Sequence, residues 1–178
     1  MDRQRSAARL DGLGTTIFAE MSALAVQTGS VNLGQGFPDT DGPAEVLEAA
    51  VEAIRSGHNQ YPPGLGIADL RLAVAEHQKR FYGLTLDPDT EVVVTTGATE
   101  AIAATLLGLV DPGDEVVALE PFYDSYAACI AMAGGRRVPV TLRPPHFRLD
   151  VDQLRAAVTD RTRLILLNTP HNPTGTVL

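Results

Sequence analysis

The stretch Arg163-Leu-Ile-Leu-Leu-Asn168-Thr-Pro170-His-Asn172-Pro-Thr-Gly175 places the tightest constraint on what this chain can fold into. Leu164–Leu167 is apolar without polar alternation, the pattern of a strand buried on both faces of a parallel sheet. Pro170 and Pro173 lack the N–H that a ladder needs, so strand pairing must stop before them. Two side-chain amides, Asn168 and Asn172, are left at the carboxyl end of a buried strand. Open α/β sheets bind their ligands at that end. An ordinary strand followed by an Asx/Pro turn explains the tripeptide Asn172-Pro-Thr alone equally well.

The preceding residues alternate in type. Ile17, Met21, Leu24 and Ala25 fall at helical spacing. Pro43 opens a second helix with Val46, Leu47, Ala50, Val51 and Ile54 as its expected buried face, stopped near Gly57. Ala68–Tyr82 reads as an amphipathic helix with Leu70, Ala73, Val74, His77 and Phe81 on the apolar side. Then follow strand Val92–Thr95, helix Ala98–Leu109, strand Val116–Leu119, helix Tyr123–Ala133 and strand Arg137–Leu142. Asp150 with Gln153 forms a capping box for a helix through Val158. Strands alternating with helices require crossovers, so the fold class is α/β with a largely parallel sheet.

Composition excludes several function classes. With 44% hydrophobic and 20% charged residues the chain of 178 is globular rather than disordered. A net charge of −8 without a basic run argues against nucleic-acid binding. No apolar stretch approaches the roughly 20 residues of a membrane span, and no secretory signal follows Met1-Asp-Arg-Gln-Arg. Cys129 is the single cysteine, which excludes an internal disulfide and a cysteine-rich zinc site and suits a packed thiol in a reducing cytoplasm.

The string Asn168-Thr-Pro-His-Asn-Pro-Thr-Gly175 resembles the class I/II aminotransferases, pyridoxal 5′-phosphate (PLP) enzymes of the aspartate aminotransferase fold, fold type I. The resemblance implies that Asn172 hydrogen-bonds the phenolic oxygen of the cofactor ring. Four further segments carry it, each with a plainer explanation beside it. Thr95-Thr-Gly97-Ala98-Thr99-Glu100 joins a strand to a helix whose first turn offers N–H groups and about half a positive charge. A turn with threonine as N-cap would look the same. By resemblance the Gly97–Thr99 backbone and the Thr99 hydroxyl bind the PLP phosphate, with Ala98 in the same role.

Glu120-Pro-Phe-Tyr123-Asp-Ser-Tyr126 carries three aromatics that could simply anchor a helix. The resemblance puts Tyr123 flat on the pyridine ring. In Leu33-Gly-Gln-Gly36-Phe-Pro-Asp39 the third glycine of a dinucleotide fingerprint is missing, and a plain loop fits. The resemblance gives the Gly36 backbone a hold on the substrate carboxylate. In Asn59-Gln-Tyr61 with Gly64 and Gly66, Tyr61 is a loop aromatic. By resemblance it crosses a homodimer interface to the partner's PLP phosphate. The segments together look most like kynurenine, glutamine and methionine aminotransferases and actinobacterial succinyldiaminopimelate aminotransferases.

PLP chemistry needs a lysine that holds the cofactor as a Schiff base. The chain has one, Lys79, off the apolar stripe of its helix and read as a surface residue. The resemblance places the Schiff-base lysine beyond Leu178, so no catalytic residue is expected here. The chain is then read as the N-terminal part of such an enzyme, a little under half. Residues 1–36 would form the arm and a small-domain segment, and 37–178 the first part of the PLP-binding large domain. The function implied is transfer of an amino group between an amino acid and a 2-oxo acid. A C–S β-lyase or cyclase of the same fold, a non-catalytic fragment and the sensor half of a regulator are the competing readings. A sheet cut after Leu167 would also expose an edge strand and apolar faces.

Overall fold

A computed structural model describes residues 7–11, 13–36, 38 and 40–178. They fall into two compact units, Ile17–Thr95 and a second comprising Thr96–Leu178 with the stretch before Ile17.

The first unit is helical: α1 (Ile17–Thr28), α2 (Ala44–Arg55) and α3 (Ala68–Tyr82). All three helices stand where hydrophobic spacing predicts them, but their burial differs from expectation. On α2, Val46, Leu47 and Ile54 are exposed, Ile54 at 62%. On α3, Leu70 and Phe81 are exposed, and the side turned inward carries Arg71, Val74, Ala75 and Gln78. Periodicity marks the face that favours burial; whether that face is covered depends on what is packed beside it. Arg71 works as a tie within the unit. Its Nε donates to the Gly66 carbonyl at 3.2 Å, and its Nη1 donates to the Pro88 carbonyl and to Asp89 at 2.9 Å.

Val92–Thr95, expected as a strand, is irregular. Its β-branched residues suit a pleat, but a strand exists only against a partner. Here Val94 N–H bonds the Leu65 carbonyl at 3.0 Å, a loop rather than a strand.

The second unit contains α4 (Gly97–Leu109), β1 (Glu115–Glu120), α5 (Ser125–Met132), β2 (Arg136–Thr141), α6 (Val151–Ala157) and β3 (Thr162–Leu166). The strands pair in parallel in the order β2-β1-β3. The expected elements are present with ends shifted by a residue or two; α5 starts at Ser125 rather than Tyr123. Asp150 caps α6 as expected, accepting the N–H groups of Asp152 and Gln153 at 2.9 and 3.1 Å.

β1 is central, and successive side chains of a strand point to opposite faces. Val116 packs with Leu106, Val110, Cys129 and Ile130 under α4 and α5. Val117 and Leu119 pack with Val140, Leu142, Phe147 and Leu154 on the side of α6. The result is three layers, helix–sheet–helix, with the core on both faces of β1. Cys129 is buried in the first cluster, where desolvation pushes its thiol pKa up and favours the neutral form.

Beyond β1, β3 pairs with no other strand among the described residues. A groove of about 230 Å³ runs beside it, lined by Ile102, Leu106, Leu164 and Leu166. Ile165 and Leu167 are 43% and 57% exposed, so the run expected to be buried on both faces is covered on one only, because no further strand or helix lies against its other face among the described residues.

The amino ends of the strands are tied by Glu115, whose side chain is fully buried. Its Oε1 accepts from Arg136 at 2.6 Å and Arg161 at 2.7 Å, and its Oε2 accepts the Thr159 hydroxyl at 2.8 Å. Arg136, ahead of Thr159 and Arg161, holds the carboxyl well below its ordinary range, at about 2.

Candidate functional site

The carboxyl ends of parallel strands lie on one edge of the sheet, so the segments after β1 and β3 emerge side by side. The short turn from Val110 to Asp114 joins the end of α4 to the amino end of β1, so the start of α4 lies at the carboxyl edge. Three expected segments of the second unit therefore share this edge.

Gly97, at φ +75°, turns the chain into α4 in a conformation that costs a residue with a side chain about 1–2 kcal/mol. Thr96 is the N-cap but makes no capping bond with its hydroxyl. Glu100 reaches back instead and accepts the Thr96 N–H. That bond, followed by the one to the Thr96 hydroxyl, lowers the Glu100 pKa. With Thr96 served by Glu100, the N–H groups of Ala98 and Thr99 remain in the first turn, where no carbonyl of the helix can reach them.

Tyr123 meets this turn. Its hydroxyl lies 3.5 Å from Thr99 Oγ1, and its ring stands edge-on to Tyr126 with centroids 5.8 Å apart at 84°. Phe122 stacks at 6.4 Å on Tyr126, which is buried, so these two are anchors. Beside Tyr123, Ser125 Oγ is the one buried side-chain polar atom without a hydrogen bond among the described residues.

After β3 the chain closes on itself. Asn172 N–H donates to Asn168 Oδ1 at 2.8 Å. His171 N–H donates to the Thr176 carbonyl at 2.8 Å, and Gly175 N–H to the His171 carbonyl at 2.6 Å. His171 is 3% exposed, with its ring Nδ1 at 2.9 Å from Thr174 Oγ1. Desolvation lowers its pKa, favouring the neutral imidazole. Asn168 is spent on the loop itself, whereas Asn172 is exposed and its amide is offered outward.

Two expected residues belong to the helical unit. The Gly36 backbone has open space around it, and Phe37 and Asp39 of the same segment lie outside the described residues. Tyr61 is fully exposed. Lys79 is exposed in the last turn of α3.

The first-turn N–H donors and two hydroxyls at the head of α4 suit a dianion. An aromatic ring and an outward amide stand on the same edge. This donor set fits a flat, phosphorylated heteroaromatic molecule such as PLP. Sequence reasoning missed Glu100, the Thr99–Tyr123 approach and the part played by His171. Glu100 had a signal, its place four residues after Thr96. A histidine between Pro170 and Asn172 gives no hint that it will be buried.

The model of the family "Aminotransferase class I and II" matches residues 28–178. The chain belongs to this family. It is 61% identical over 172 residues to the probable N-succinyldiaminopimelate aminotransferase DapC of Mycobacterium tuberculosis, covering 96% of this chain and 43% of that protein. It is 50% identical over 169 residues to the methionine aminotransferase of Escherichia coli K12, covering 95% and 44%. The solved structure of N-succinyldiaminopimelate aminotransferase from M. tuberculosis superimposes with a TM-score of 0.93 at 60% identity, over 97% of this chain and 45% of that one. The chain thus spans a little under half the length of these relatives and shares the fold of the corresponding part. Among the described residues no helix is long and apolar enough to cross a membrane, and no cluster of His, Cys, Asp and Glu could hold a metal.

Proposed function

We propose that this chain forms the phosphate- and ring-binding part of a PLP-dependent aminotransferase that moves an amino group between an amino acid and a 2-oxo acid. The observation that carries the proposal is the meeting of Thr99 and Tyr123 at the head of α4, on the sheet edge that also carries Asn172. When bound, PLP supplies an electron sink for the substrate carbon that loses its proton.

In this reading the N–H groups of Ala98 and Thr99, the Thr99 hydroxyl and the Gly97 turn hold the phosphate. Tyr123 covers one face of the ring and excludes water. Asn172 donates its amide to the phenolic oxygen and so favours the ionised form of that oxygen. The Gly36 backbone holds the substrate carboxylate, and Tyr61 reaches the phosphate of the partner subunit in a homodimer. The exposed Lys79 has no catalytic part; the lysine that carries the cofactor belongs to the length of the relatives that this chain does not span. Residues 37–178 begin the cofactor-binding domain, and residues 1–36 supply an arm and a segment of a smaller domain. A buried Cys129 and the absence of other cysteines suit the cytoplasm.

The test is titration of the protein with PLP, followed by the cofactor's absorbance, in the wild type and in Asn172→Ala. The proposal expects saturable binding that weakens at least tenfold in the variant, as for a lost hydrogen bond to a charged group. Absence of binding, or an unchanged affinity, would defeat it. In the protein that also carries the lysine-bearing length, product analysis with a panel of amino donors, including methionine and N-succinyldiaminopimelate, separates transfer from elimination. A 2-oxo acid and a new amino acid in equal amounts mean transfer; pyruvate and ammonia from a cysteine conjugate mean a lyase.

A further inference from the structure

We infer that the Tyr123 hydroxyl is a phosphate-binding group in its own right, acting with Thr99 Oγ1 on the same dianion. The inference rests on the proposed cofactor site and adds a contact to it. Stacking needs only the ring, and a phenylalanine would supply that. The hydroxyl of Tyr123 is directed to the first turn of α4, where it stands 3.5 Å from Thr99 Oγ1. That separation is long for a hydroxyl–hydroxyl bond, which has its mode near 2.7–2.8 Å. Neither group is therefore held tightly by the other, and each keeps a proton to donate.

An acceptor oxygen lying between them can take a hydrogen bond from both at normal length. The N–H groups of Ala98 and Thr99 open in the same turn. The Tyr123 ring is fixed by its edge-on contact with the buried Tyr126, so the hydroxyl is pre-positioned. A phosphate oxygen is the acceptor that this donor set fits, because each bond is charge-assisted. Tyr123 thus joins the two ends of the cofactor: its ring covers the pyridine and its hydroxyl holds the phosphate.

The experiment compares pyridoxal 5′-phosphate with pyridoxal, which lacks the phosphate, by titrating wild type, Tyr123→Phe and Thr99→Val. The wild type should prefer the phosphorylated compound. Tyr123→Phe should cut that preference roughly tenfold, equivalent to about 1.4 kcal/mol, with pyridoxal binding unchanged because the ring is kept. Thr99→Val should lower the same preference. If Tyr123→Phe keeps the wild-type preference, or weakens both compounds equally, the hydroxyl does not serve the phosphate and the inference fails. If the wild type itself shows no preference, the cofactor site fails and takes the inference with it.

Discussion

Asn168 Oδ1 accepts the backbone N–H of Asn172 at 2.8 Å, so one asparagine fixes the backbone from which the other reaches outward. Asn168→Ala removes the acceptor and should lower PLP affinity about fivefold, the effect of one ordinary hydrogen bond near 1 kcal/mol. Asn168→Asp keeps an acceptor oxygen in place and should bind more tightly than the alanine variant. A titration in which alanine and aspartate behave alike would remove the positioning role.

His171 gives this loop a pH dependence. Burial lowers its folded pKa below the ordinary value of 6.5. The unfolded chain therefore takes up the proton first as pH falls, and the stabilisation present above pH 6.5 is lost between there and the lower folded value. The denaturation midpoint should fall between pH 7.5 and 5.5. In His171→Asn the fall over that window should be smaller, and equal slopes would contradict the assignment.

Glu115 acts lower on the scale. Its carboxyl is held at about 2 in the fold, against an ordinary 4.5. Here the folded state releases its proton more readily than the unfolded state. The stabilisation is complete above about pH 4.5 and is lost as pH falls towards 2. Glu115→Gln keeps the size of the side chain but leaves Arg136 and Arg161 without their carboxylate. The variant should melt lower at pH 7, and the gap to wild type should close as the pH approaches 2. A gap that is constant with pH would show that the charge is not what matters.

Gly66 has φ +95°, and a Cβ built there would lie 2.5 Å from Val94 Cγ2. Gly66→Ala should therefore destabilise the helical unit by about 2 kcal/mol or more, from backbone strain and overlap together. Adding Val94→Ala should relieve the overlap and leave the backbone cost, so the double variant should recover part of the loss. Thermal melts of the wild type and the two variants decide the division.

Much of this arrangement is legible in the sequence. The helix Ala68–Tyr82 follows from spacing alone, and the apolar runs of β1 and β3 announce strands, although only β1 is buried on both faces. The Asp150 cap is written in its own four residues. What could not be read depends on partners distant in the chain. Val92–Thr95 has the composition of a strand, yet it meets only the loop at Leu65. The apolar residues of α2 show which side favours burial, not that Val46 and Ile54 would remain exposed. The candidate site divides in the same way. Asn172, Thr99 and Tyr123 stand out by their place in turns, whereas the approach of Thr99 to Tyr123 joins residues 24 positions apart.

The strand order β2-β1-β3 makes the earliest strand also the middle one. As the chain leaves the ribosome, β1 is available before either neighbour, and each later strand adds to a free side of a template already present. Among the described strands, none has to be inserted between two that have already paired. This sheet can therefore assemble outward in the order of its synthesis, with each step closing a loop of only one helix and its connections.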